Sequence, residues 1–251
     1  MDVPLPTLGL LVAAAFCAGL VDAIGGGGGL ITVPALLAAG LDPRIALATN
    51  KGQAVFGAVS SAWAYGSRGG ITRERVEIGF LAGLLGAFAG AAALLAMKPE
   101  PLRPVVIVLL LVALGVALVP RDRLPRLSLE RPTLTLAAVA FALGAYDGFF
   151  GPGVGSMLIV AFVVLFGDSL VGASGNAKVV NLASNLAAFT LFALKGAISF
   201  KIALPMALAN AAGAHVGSRL ALARGDRLVR VVVIVVVLAV VAKLTRDVFR
   251  G

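Results

Sequence analysis

The chain has 251 residues, 60% of them hydrophobic and 13% charged, with a mean hydropathy of +1.03, whereas a soluble domain is nearer half apolar and a quarter charged. Its net charge of +9 does not indicate a nucleic-acid binder, because Lys and Arg lie between apolar stretches and form no basic run interleaved with aromatics. Uncharged stretches such as Leu5–Val21, Ile78–Met97, Pro104–Val119 and Val179–Leu194 approach the roughly 20 residues that cross a bilayer, so the composition excludes a soluble fold and predicts an all-α polytopic membrane protein.

Along the first half, the pattern predicts helices over 5–23, 25–41, 43–66, 76–97 and 102–119. The N-terminus lacks the positive region of a cleavable signal, so residues 5–22 read as a retained span. Cys17, the single cysteine, has no internal partner for a disulfide and reads as a small packing residue. The run Gly25, Gly26, Gly27, Gly28 and Gly29 interrupts any helix, since each glycine costs about 1 kcal/mol relative to alanine. Unpaired backbone in hydrocarbon is more costly still, so such a break must face protein or a wet cavity. Asp42-Pro43 is a helix start, with a capping carboxylate and proline in the first turn. Next come Thr49, Asn50, Lys51 and Gln53.

The segment 120–131, with Arg121, Arg123, Arg126 and Arg131, reads as a cytoplasmic linker between a first membrane repeat over 1–119 and a second over 132–251. The second half predicts helices over 133–149, 151–167, 169–194, 201–222 and 228–244. Its landmarks repeat those of the first. Asp147 follows Asp22 by 125 positions, and Lys178 follows Lys51 by 127. LAGLLGAFAG from Leu81 aligns with LANAAGAHVG from Leu208 at the same 127 offset, with five of ten positions identical. The glycine break recurs as Gly151, Pro152, Gly153 and Gly155. The chain therefore reads as two tandem structural repeats with about eight transmembrane helices and glycine-broken or re-entrant segments.

If the glycine segments turn back, four crossings per half give both halves one orientation, with 12 cationic residues on the linker's side and seven on the other. This bias favours cytoplasmic termini. If the segments cross, the halves are inverted; transporters use both arrangements.

Broken helices at matching positions in two halves point to a transporter's binding site, with close packing of small residues as the plainer reading. Lys51 lies nine residues beyond Asp42, about 13 Å at 1.5 Å per residue, which places its ammonium near the middle of a core roughly 30 Å thick. Lys178 lies ten beyond Asp168 and falls at a similar depth. Intramembrane charges are costly and functional by default, although ion pairs with Asp22 and Asp147 would also account for them. Asn181 and Asn185 share a helical face with Lys178. Ammonium and amide donors beside exposed helix N-termini suit a small oxyanion. Cation coordination by freed carbonyls and the two aspartates is the other use of these parts, and the two buried lysines oppose it. His215, the only histidine, is a proton-relay candidate or a packing residue. Arg219 reads as an interfacial anchor, and Trp63, Tyr65 and Tyr146 suit interface or packing roles.

The stretch VDAIGGGGGLITVPALLAAGLDPRIALATNKGQA, then SRGGI, then YDGFFGPGVGS, AKVVNLASN and GAHVGSRLAL, resembles the TauE/SafE family of bacterial membrane transporters from about Gly19 to Lys243. The resemblance implies a multi-pass transporter of the bacterial inner membrane for sulfite, sulfoacetate or related sulfur-containing anions. It also implies roles for Gly25 to Gly29, Pro34, Thr49, Asn50, Lys51, Asp147, Gly151, Gly153, Lys178 and Asn181.

The expected function is a secondary carrier or facilitator of a small anionic solute, without cofactor, metal or enzymatic activity. No phosphate-cradling G-x-x-x-x-G-K-[ST] sequence is present, so the chain itself does not use ATP. An intramembrane aspartyl protease using Asp22 and Asp147, or a membrane-embedded accessory protein, are the alternatives. Spacings such as Gly86–Gly90 and Gly213–Gly217 permit close helix contacts, including those of a homo-oligomer.

Overall fold

The computed structural model describes residues 3–98 and 130–224, with positions 102, 104–106, 108, 109 and 112 between them. The spans expected over 102–119 and 228–244 and the linker 120–131 lie largely or wholly outside the described residues. The regular elements among the described residues are helices: α1 (Leu5–Gly25), α2 (Gly29–Ala38), α3 (Pro43–Gly66), α4 (Arg73–Ala96), α5 (Pro132–Phe149), α6 (Val154–Phe166), α7 (Leu170–Leu194) and α8 (Phe200–Arg224). Of these, α1, α4, α5 and α7 are long and apolar enough to cross a membrane; α3 and α8 match them in length but carry more polar positions. Leu10, Val59, Trp63, Leu81, Leu85, Leu134 and Leu208 are exposed, as lipid-facing side chains are, because a soluble monomer seldom shows so much contiguous apolar surface. The chain is a polytopic helical membrane protein.

Local chemistry sets the helix ends. Asp42 caps α3, its carboxylate accepting the Arg44 N–H at 2.9 Å, with Pro43 in the first turn. Ser169, not Asp168, caps α7 and accepts the Gly172 N–H at 3.1 Å. Lys51 and Lys178 thus stand at the same distance from their own caps. All described residues with positive φ are glycines, and they form pairs 125, 126, 127 and 127 apart: Gly26 with Gly151, Gly27 with Gly153, Gly40 with Gly167, and Gly69 with Gly196.

The short helices turn back. With 10 and 13 residues, α2 and α6 are about 15 and 20 Å long, too short for a core roughly 30 Å thick. Leu36 and Leu41 return to pack with Leu11 and Ala15 of α1, so the chain leaves α2 on the side from which α1 entered.

Helix directions follow from paired contacts. Gly213 and Gly217 of α8 abut the carbonyls of Phe16 and Leu20 in α1, and Gly86 and Gly90 of α4 abut those of Phe141 and Ala145 in α5. Both pairs of helices therefore run parallel. Along α3, Thr49 meets Ser199, Lys51 meets Asn185, and Tyr65 lies beside Gly175, so α7 runs antiparallel to α3. Because α4 reverses α3 through a short turn, α5 runs opposite to α1. The two halves are inverted, and α1 and α5 begin on opposite sides. This corrects the single shared orientation favoured by the charge count. That count treated α1 as a full crossing, whereas α1 and α2 together return to the starting side.

The glycine spacings pack helices within the chain. A Cβ at Gly86 would lie 2.1 Å from the Phe141 carbonyl oxygen, and one at Gly213 would lie 2.0 Å from that of Phe16. Cys17, expected to pack, sits instead on an exposed face of α1. Trp63 points outward at 76% exposure, while Tyr65 is buried and donates to the Ala23 carbonyl at 2.9 Å. Tyr146 likewise turns inward, donating to the Pro152 carbonyl at 3.0 Å.

Candidate functional site

The two glycine turns meet at the centre of the bundle. Gly26 holds a φ of 75°, and a Cβ there would lie 2.3 Å from the backbone of Gly155 and Ser156. Only glycine fits, both in conformation and in space. This contact sets the N-termini of α2 and α6 side by side, facing the middle turns of α3 and α7.

Between them lies a cavity of about 40 Å³, room for about three water molecules on the same measure. From the first half it is lined by Asp22, Gly27, Gly28, Gly29, Asn50, Lys51, Gln53 and Ala54. From the second half come Asp147, Gly151, Gly153, Val154, Gly155, Asn181, Asn185 and Asn210.

The charged groups pair across the halves. Lys51 of α3 donates to Asp147 Oδ1 of α5 and, at 3.3 Å, to Asn185 Oδ1 of α7. Lys178 of α7 donates to Asp22 Oδ2 of α1 at 2.7 Å and to the Asp22 main-chain carbonyl, near the C-terminal end of α1. A cation there also opposes the negative end of the helix dipole. Gly151 makes room for the first pair, because a Cβ at that position would lie 3.0 Å from Lys51 Nζ.

The environments of the two pairs differ. Asp147 is 2% exposed in its side chain, and its Oδ2 also accepts from Asn181 Nδ2 at 3.2 Å and from the Ser184 hydroxyl. The Asp22 side chain is 26% exposed, and among the described residues its Oδ1 accepts only the Gly28 N–H, at 3.2 Å. Next to them runs an amide chain in which the Thr32 hydroxyl reaches Asn50 Oδ1 at 2.6 Å and Gln53 Nε2 reaches the same oxygen at 2.9 Å. Gln53 Oε1 is buried with no hydrogen-bond partner among the described residues. An unmatched acceptor in a cavity wall marks a place for a donor group, from water or from a bound solute.

Most residues singled out in the sequence converge here: Gly27, Gly28, Gly29, Asn50, Lys51, Gln53, Gly151, Gly153, Asn181 and Asn185, with Asp22 and Asp147. Others do not reach the cavity. The Gly25 carbonyl accepts the Ser156 hydroxyl at 3.2 Å, Gly26 forms the turn contact, and Thr49 Oγ1 accepts the Ser199 N–H at 3.1 Å. Lys178 lies behind Asp22 with no exposed side-chain surface. His215 is half-buried. It stands two positions from both Gly213 and Gly217, on the side of α8 turned away from α1.

Sequence reasoning missed Asn210, Ser184 and Thr32. Asn210 lines the cavity and donates to the Ala15 carbonyl at 3.2 Å. An amide in the middle of the apolar stretch Ile202–Ala214 is the signal that would have found it. Ser184 lies one turn beyond Asn181 on the same face of α7.

The two aspartates line the same cavity. Each carboxylate is bound to its own lysine, whereas a proteolytic dyad needs two carboxylates sharing one proton.

The sulfite exporter TauE/SafE family model matches residues 11–244. A "Probable membrane transporter protein ORF9" of Sinorhizobium sp is 36% identical, covering 98% of this chain and 95% of that protein. The "Probable membrane transporter protein YfcA" of Escherichia coli K12 is 35% identical over 96% of this chain and 90% of its own length. A "Probable membrane transporter protein" of Haemophilus influenzae is 36% identical, with 98% of each chain covered. No solved structure matches.

Proposed function

The chain belongs to the sulfite exporter TauE/SafE family of membrane transporters, and from that premise we propose that it is a secondary carrier or facilitator of a small anion. Its place is the bacterial inner membrane, which it crosses several times as two inverted units over 1–119 and 132–251 joined by the linker 120–131. The favoured solutes are sulfur-containing oxyanions and organosulfonates such as sulfite and sulfoacetate.

One observation carries the reading. The N-termini of two half-length helices, one from each half, line the same cavity as the mid-helix Lys51. Helix N-termini present N–H groups and positive dipole ends, which favour anions. Asn50, Gln53, Asn181 and Asn185 add amide groups able to donate to several oxygens at once. The cavity thus offers directed donors around one cation already held by a carboxylate, an arrangement that releases its ligand more readily than a bare ammonium.

The test is flux into proteoliposomes containing the purified chain, screened over sulfite, sulfate, thiosulfate, sulfoacetate and taurine. Saturable uptake of a sulfur oxyanion or sulfonate is expected, with loss in Lys51→Ala. Transport of a cation alone would overturn the anion reading, and absence of any saturable flux would favour an accessory role.

A further inference from the structure

We propose that Asp22 is the chamber's own counter-anion, displaced from Lys178 by the transported anion and neutralised by a proton, so that anion and proton move together without net charge. This rests on the anion reading above and assigns the coupling ion of that same site.

The inequality of the two pairs selects Asp22. Asp147 is sealed by Lys51, Asn181 and Ser184 with 2% of its side chain exposed, whereas Asp22 lines the cavity at 26%. The positions of α3 that match Asn181 and Ser184, at the repeat offset of 127, are Ala54 and Gly57. Neither supplies a donor, so Asp22 lacks the lock that holds its counterpart.

Asp22 also occupies the place where an anion belongs. One carboxylate oxygen takes the Gly28 N–H at the start of α2, and the other takes the Lys178 ammonium. An oxyanion entering from the cavity meets these two donors only by replacing that carboxylate. Lys178 has a second partner in the Asp22 main-chain carbonyl, so its ammonium stays anchored when the carboxylate leaves.

Charge balance then sets the coupling. The two lysines and two aspartates sum to zero, and a monoanion would add an uncompensated negative charge in a low dielectric, where isolated ions are strongly disfavoured. One proton on Asp22 restores neutrality: the carboxylate becomes a carboxylic acid, and Lys178 pairs with the anion in its place. The other titratable groups facing Asp22 are Lys178 from α7, Tyr65 and Lys51 from α3, and Asp147 from α5. Around the same cavity α2 presents glycine, α6 glycine and valine, and α8 the amide of Asn210.

The experiment uses the full chain in proteoliposomes with methanesulfonate, a permanent monoanion whose own protonation does not confuse the count. With the outside one pH unit more acid, wild type should accumulate the probe about tenfold, the limit for one proton per anion. An internal pH dye should report matching acidification, and a potassium–valinomycin potential should leave the flux unchanged. Asp22→Asn should bind the probe more tightly, lose the pH-driven accumulation and become voltage-sensitive, while Asp22→Glu should recover coupling. Accumulation by Asp22→Asn that still follows the pH gradient overturns the proposal. So does wild-type flux that is voltage-driven and moves no proton, a result that stands even if the asparagine variant does not fold. Failure of wild type to exchange methanesulfonate or any anion of the screen would instead remove the anion site itself.

Discussion

Removing one partner of the Lys51–Asp147 pair should destabilise the protein far more than removing both. Their side chains are 3% and 2% exposed, so each ion depends on the other and on a few neutral groups. Lys51→Met leaves Asp147 with Asn181 and Ser184, while Asp147→Asn leaves the ammonium with Asn185 alone among its present partners. Breaking a buried pair from one side costs about 3–5 kcal/mol, whereas replacing both ions is often close to neutral. Each single variant should therefore lose about 3–5 kcal/mol. The double variant should lie within about 1–2 kcal/mol of wild type, which makes the coupling energy at least as large as the upper range for contacting residues, about 3 kcal/mol. Equilibrium unfolding of the four proteins in mixed detergent micelles measures all the terms. Single losses that simply add, with a coupling below about 0.5 kcal/mol, would refute the claim that the two ions are mutually dependent and buried.

The remaining expectations are separate. Gly26→Ala should abolish the folded, monodisperse species on size exclusion, because its Cβ would lie 2.3 Å from Gly155 backbone. Gly40→Ala, also at positive φ but with nothing within 4 Å, should cost only about 1–2 kcal/mol. Gln53→Glu turns the amide that carries the cavity's unmatched acceptor into a carboxylate and should lower anion uptake at least tenfold in the flux assay, with cation leakage as the control. In a Cys17→Ala background, Arg68→Cys and Glu130→Cys should react with a membrane-impermeant maleimide from one side, and Lys195→Cys from the other. Labelling of Arg68→Cys and Lys195→Cys from the same side would restore the parallel arrangement.

The site was legible in the sequence wherever the membrane makes a residue costly. Lys51, Lys178, Asp22, Asp147 and the glycine runs all violate the rule that hydrocarbon excludes charge and unpaired backbone, and all lie at the centre of the molecule. Position along the helix was legible too, since counting residues from the caps placed both lysines in the middle turns of α3 and α7. Partner choice was not. The sequence pairs equivalent residues with equivalent residues, while the inversion pairs Lys51 with Asp147 and Lys178 with Asp22, each across the halves. The repeat offset carries no sign for direction, and the re-entrant return of α2 depends on Leu36 and Leu41 finding Leu11 and Ala15, a tertiary fact absent from local pattern.

The difference between the two pairs lies where the repeat fails. At the offset of 127, Asn181 faces Ala54, Ser184 faces Gly57, and Asn210 faces Gly83. Each substitution of a polar residue for a small one falls beside the central charges, and two of the three surround Asp147. A duplicated chain begins with equal pairs, and equal pairs would compete equally for an entering anion. Adding amide and hydroxyl donors to one carboxylate lowers its readiness to leave its lysine, since charge-assisted hydrogen bonds are about twice as strong as neutral ones. The other carboxylate, left with one backbone N–H and an open face, becomes the one that yields. On the proposed mechanism, coupling follows from departures from internal symmetry at Asn181 and Ser184, against a frame in which glycines recur at matching positions in the two halves.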